Sequence, residues 1–154
     1  MANKSNFTVE EWDLLRRAPL VSGAMIMAAS PSGPLGVLKE SAALSQMLLH
    51  GLENASTELL QTLSADFKTH WSIEQITQDP DQLRSIALTA CRELATLLRH
   101  KATPEEADEF KAWLIETARR VATAAREGGF LGFGGTNVTE AELSAIDQIE
   151  IALR

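Results

Sequence analysis

The sequence predicts an all-α fold: a single helical bundle of five to seven helices with an internal pseudo-twofold repeat. Three observations lead there. Ala, Leu and Glu are plentiful while aromatics are scarce, with no Tyr, three Trp and five Phe, a supply that favours helix over strand. Apolar residues recur three and four apart, and no segment sustains the alternation of a strand. One helix-start pattern, T-x-x-E, occurs at Thr8–Glu11, Thr103–Glu106 and Thr139–Glu142. In each, the Thr hydroxyl can accept from the amide three residues on while the Glu reaches back to the Thr amide. The carboxylates also lie at the positive end of the helix dipole.

The elements follow in order. From Thr8, a helix carries Trp12, Leu15, Ala18, Val21, Met25 and Ala28 on one face. Pro19 falls inside this pattern and predicts a kink or break near Arg17-Ala18, because it has no N–H for the helix ladder. The helix must end by Ser30-Pro31-Ser32-Gly33-Pro34. A second helix spans about Leu35 to Gly51, with Leu38, Ala42, Leu44-Ser45 and Leu48 inward. Asn54 is placed to cap a third, carrying Leu59, Leu60, Leu63 and Phe67. Trp71-Ser72-Ile73 breaks it, and Ser72 to Thr77 can make one short turn.

Asp79-Pro80 is a cap and first-turn pair for a fourth helix, to about His100, with Leu83, Ile86-Ala87, Ala90, Leu94 and Leu97-Leu98 inward. Thr103 starts the longest helix, to about Glu127. Its apolar face is Phe110, Trp113-Leu114, Thr117-Ala118, Val121 and Ala124-Ala125. Glu105, Glu106, Asp108 and Glu109 fill its first turns and Arg119, Arg120 and Arg126 its later ones, which matches the dipole rather than a metal site. The last helix, Glu140 to Leu153, buries Leu143, Ile146, Ile149-Glu150 and Leu153.

A shift of 95 residues lays Thr8-x-Glu10-Glu11 over Thr103-x-Glu105-Glu106 and, without a gap, Gly33 over Gly128. With seven further residues allowed in the second copy, Glu40 to Met47 lies over Glu142 to Ile149. Each unit is then a capped long helix, a Gly turn and a second helix: residues 8–51 and 103–153, with a helical insert over 52–102 in a single domain of 154 residues. The second copy, "ARRVATAAREGGFLGFGGTNVTEAELSAIDQIEIAL", resembles the C-terminal unit of TerB-like tellurite-resistance proteins. That likeness implies an all-helical bundle with a pseudo-twofold and a link to stress. The family's turns carry an Asp-Gly step and clustered acids suited to divalent cations. Here the turns read Ser-Pro-Ser-Gly-Pro and Gly-Gly-Phe-Leu-Gly-Phe-Gly-Gly, with no Asp, and no metal ligand is assigned. The chain also resembles a group of bacterial proteins ending in a Glu-Gly-Gly-Phe-Leu-Gly-Phe-Gly-Gly loop.

That loop decides most of the functional reading, since residues 124–142 hold five of the nine glycines. A dinucleotide fingerprint needs G-x-G-x-x-G after a strand; here Asn137 stands where the third Gly belongs and a helix precedes. A P-loop needs Gly-Lys-Ser/Thr, and the loop has no Lys. The remaining reading is a helix C-cap at Gly128, with Phe130, Leu131 and Phe133 folding back over the bundle end. The competing reading makes Gly128, Gly129, Phe130, Leu131, Phe133 and Gly135 a ligand or partner loop.

Other chemistry is sparse. His50, His70 and His100 form no H-x-x-E or H-E-x-x-H pattern, and Ser and Thr lie outside G-x-S-x-G and S-x-x-K contexts. Cys91 reads as a small apolar helix residue, and a lone cysteine fits a reducing cytoplasm. The N-terminal MANKSNFTVEEWDLL lacks the apolar core of a signal peptide, and the run Leu20–Ala29 is about half the ~20 residues a membrane span needs. A net charge of −7 opposes binding to nucleic acid or an anionic membrane. The expectation is a non-enzymatic cytoplasmic scaffold or interaction module without a cofactor, its partner another protein. Nothing in the pattern fixes an oligomeric state. A small-ligand or metal-ion sensor with its site near the two Gly turns is the alternative.

Overall fold

A computed structural model describes residues 2–29, 35–69, 79–127 and 139–154, and the side chains of all of these except 35–43 and 124–127. Six α-helices pack around one core, with no strand among the described residues. They are α1 (Val9–Ala29), α2 (Leu35–Leu52), α3 (Glu58–Thr69), α4 (Pro80–Lys101), α5 (Pro104–Glu127) and α6 (Glu140–Ala152), preceded by a 3₁₀ turn at Lys4–Asn6.

All three T-x-x-E starts are closed capping boxes. The amides of Glu11, Glu106 and Glu142 each donate to their Thr hydroxyl at 3.2 Å. In return, the Thr8, Thr103 and Thr139 amides donate to the Glu carboxylates at 2.8, 2.9 and 3.0 Å. Asp79 caps α4 as expected, its Oδ1 accepting from the amides of Asp81 and Gln82 at 2.9 and 3.2 Å.

The third helix corrects the sequence reading. Asn54 does not cap it; α3 begins later, at Glu58. Its leading residues are instead met by Glu109 of α5. One Glu109 oxygen accepts from the Ser56 amide at 2.7 Å and from the Ser56 hydroxyl; the other accepts from the Thr57 amide at 2.9 Å and from the Thr57 hydroxyl. A carboxylate that satisfies two amides and two hydroxyls at once is a stronger acceptor set than a local Asn provides.

Pro19 does not break α1, which runs through it. Losing the Pro19 N–H costs one ladder bond, but Ala18 and Pro19 are buried, as is every residue from Val21 to Met27. This burial on either side of the missing bond holds the helix through the gap. Both long helices, α1 and α5, touch every other helix of the bundle. Where neighbours come closest, glycine makes room. Leu44 of α2 packs on Gly23, where a Cβ would sit 2.4 Å from its Cδ1. The Trp113 indole lies on Gly51 and donates to the Leu48 carbonyl at 3.3 Å.

Most inward positions are buried as expected, including Leu15, Phe67, Phe110, Leu114 and Ile149. Three are not. Ile86 and Leu143 are 42% and 51% exposed, and half-buried Glu150 pairs with Arg119 at 2.8 Å. Residues 86 and 143 sit on the edge of their helices' apolar stripes, where no helix among the described residues covers them.

The buried positions of α1 at 12, 15, 18, 19, 22, 23, 26 and 27 coincide, under the 95-residue shift, with buried positions of α5. Two capped amphipathic helices of equal phase share this pattern whether or not they are related. The two are also placed differently: α1 packs most extensively on α4, while α5 divides its packing mainly between α1 and α2. The internal repeat is therefore not confirmed by the fold.

Candidate functional site

The N-terminal half of α1 and the C-terminal half of α4 run antiparallel, and a groove of about 670 Å³ lies between them. Leu14 and Leu97 form its apolar floor, and its rim carries Glu10, Glu11, Arg17, Arg92, Glu93, His100 and Lys101. The two helix ends place the charges. Acids gather in the first turn of α1, bases in the last turn of α4, and antiparallel packing brings the two turns together.

Lys101 ties that end shut. Its ammonium contacts Glu11 Oε2 at 2.6 Å, donates to the Asn6 carbonyl at 3.1 Å, and lies 5.8 Å from the Phe7 ring centre. The hydrogen bond from Lys101, together with the Thr8 amide, holds the Glu11 carboxyl below its usual range. His100 uses Nδ1 toward the Thr96 carbonyl at 2.7 Å; a carbonyl only accepts, so the proton is on Nδ1. Further along, Arg17, Arg92 and Glu93 have no ion-pair partner among the described residues.

A smaller crevice of about 260 Å³ lies at the opposite end, where Met25, Ala28 and Ala29 of α1 meet the starts of α4 and α6. Arg84 crosses its rim to donate to Gln148 at 2.7 Å.

Among the described residues the buried ionisable groups are engaged. Glu106 is 2% exposed and accepts from the Ala2 amide at 2.8 Å as well as serving its capping box. Asp66 accepts from Lys4 and from the Trp12 indole at 2.6 and 3.1 Å. Burial opposes its charge, but these two hydrogen bonds and the Lys4 and Arg16 charges outweigh burial and hold the carboxyl below its ordinary range. Cys91 is fully buried, its sulfur 3.3 Å from the Ser22 hydroxyl; burial pushes the thiol up, away from the reactive thiolate.

The sequence-derived site residues Gly128, Gly129, Phe130, Leu131, Phe133 and Gly135 lie outside the described residues, as does His70. α5 ends at Glu127, the residue before Gly128. His50 is exposed beside Glu53 and far in sequence from His100. Among the described residues no group of three or more His, Cys, Asp or Glu side chains could hold a metal ion, and no helix is long and apolar enough to cross a membrane.

Sequence reasoning did not single out Arg17, Arg92 or Leu14. Their signal was indirect: charges flanking an apolar position on each of two helices, which become one surface only once α1 and α4 are paired. Comparison with protein-family models, with curated proteins and with solved structures finds no match to this chain.

Proposed function

We propose that the protein is a non-enzymatic cytoplasmic interaction module whose α1–α4 groove docks an acidic amphipathic helix of a partner protein. The observation that carries this reading is the groove itself: Leu14 and Leu97 for an apolar stripe, with Arg17 and Arg92 beside them. Arg17 and Arg92, without ion-pair partners among the described residues, are the two positions on this mixed-charge rim where a partner's carboxylates would be met, with Glu10 and Glu93 alongside them. Helix-in-groove docking uses this combination of apolar anchors and flanking charge. The TerB-like resemblance adds a stress response as the setting.

The test is site-specific. A photo-crosslinking amino acid at Thr96, on the groove wall, should capture a partner segment identified by mass spectrometry as an acidic amphipathic helix. Reversal of both charges (Arg17→Glu with Arg92→Glu) should reduce that capture about tenfold or more. Capture unchanged by the reversal, or a partner lacking such a helix, overturns the proposal.

A further inference from the structure

Lys4 and Asp66 form a second arrangement, separate from the groove. The Asp66 side chain is only 6% exposed, yet the Lys4 side chain that reaches it is 54% exposed. An ammonium therefore enters a buried carboxylate along a path open to solvent. Lys4 Nζ contacts Oδ1 at 2.6 Å, while Trp12 Nε1 and Arg16 Nε approach Oδ2 at 3.1 and 3.4 Å. The same Nζ lies 5.6 Å from the Trp12 ring centre. A desolvated carboxylate beside an aromatic face is the chemistry that recognises an alkylammonium group, the one by charge-assisted hydrogen bonding and the other by cation–π attraction.

The segment bearing Lys4 is anchored without its ammonium. The Ala2 amide donates to buried Glu106, Asn3 and Asn6 cap the 3₁₀ turn reciprocally, and buried Phe7 packs on Trp12 with ring centres 5.8 Å apart. Shortening Lys4 thus leaves the walls standing and removes its ammonium from Oδ1.

We propose that Asp66 and Trp12 form a primary-ammonium binding site that Lys4 occupies in cis, and that it takes an external alkylammonium ligand when Lys4 is withdrawn. In the wild-type chain the tethered Lys4 excludes competitors by its high local concentration.

The experiment is chemical rescue of Lys4→Ala, read at the Trp12 indole N–H resonance in a nitrogen-15 NMR spectrum. Titration with n-butylammonium chloride should move that resonance saturably, with a dissociation constant in the millimolar range. Butanol, or sodium chloride at equal ionic strength, should not move it, and wild type should respond far less. Adding Nα-acetyl-lysine amide asks whether a peptide lysine enters as well as a free amine. The proposal is overturned if Lys4→Ala shows no saturable shift, if sodium chloride matches it, or if the shift survives in Lys4→Ala with Asp66→Asn. Should Lys4→Ala fail to fold, Lys4→Met retains the apolar stem for the same titration. If neither variant folds, restoration of folding by butylammonium supports the site and its failure to restore folding refutes it.

Discussion

Glu109 offers the sharpest test of the fold, because one side chain of α5 closes the start of α3. Glu109→Gln keeps the shape but removes the charge and turns one of two acceptors into a donor facing Thr57 or Ser56. The four hydrogen bonds hold the Glu109 carboxyl down at about 2, from 4.5, despite the opposing cost of burial. That difference of 4.5 − 2 is worth about 3.4 kcal/mol at 1.36 kcal/mol per unit. Water still reaches part of the carboxylate, and discounting for that leaves about 2 kcal/mol, the upper end for loss of a helix cap. The sign follows from linkage. A carboxyl depressed in the native state stabilises above its unfolded value, and that stabilisation is lost as pH falls toward the folded value. Urea unfolding of wild type and Glu109→Gln should therefore differ by about 2 kcal/mol at neutral pH. The gap should narrow steadily below pH 4.5 toward about 2. A gap that is absent at neutral pH, or constant down to the acid limit of folding, would refute the cross-helix cap.

Three further outcomes are expected. Gly51→Ala places a methyl 2.8 Å from Trp113 Nε1 and should cost about 1–3 kcal/mol in thermal or denaturant melts, together with a shifted Trp113 indole resonance; wild-type stability would disprove the close approach. Thr139→Ala removes a closed capping box and should cost about 1 kcal/mol, matched within error by Thr8→Ala, so unequal losses would show that the boxes are not equivalent in energy. Cys91 should resist thiol reagents in the native protein and react at once in denaturant; fast native labelling at neutral pH would contradict its burial and raised pKa.

Much of this fold was legible because its signals are local. A T-x-x-E box needs only residues three apart, and all three formed. The Asp79-Pro80 start and the stripe through Leu83, Ala87, Ala90 and Leu94 likewise depend on one helix alone. Misreadings occurred where a second helix decides. Asn54 was displaced by Glu109, 55 positions downstream, and a break at Pro19 did not occur, because α1 is buried at Ala18, Pro19 and from Val21 to Met27. Ile86 and Leu143 stayed exposed because no helix among the described residues covers their side of the stripe. The groove and the Asp66 centre were illegible for the same reason: Lys4 and Asp66 are 62 residues apart, and no local pattern marks them as neighbours. The Gly128–Gly135 reading rests on sequence alone.

The way α3 is capped has a consequence for synthesis. α1, α5 and α6 carry their own cap for the first turn within three residues. α3 does not, since the carboxylate that receives the Ser56 and Thr57 amides is translated more than 50 residues later. The same delay governs the N-terminal segment, whose Ala2 amide awaits Glu106, 104 residues on. Residues 2 and 56–57 thus wait for partners that lie far downstream in the chain, and the bundle closes only when α5 has emerged.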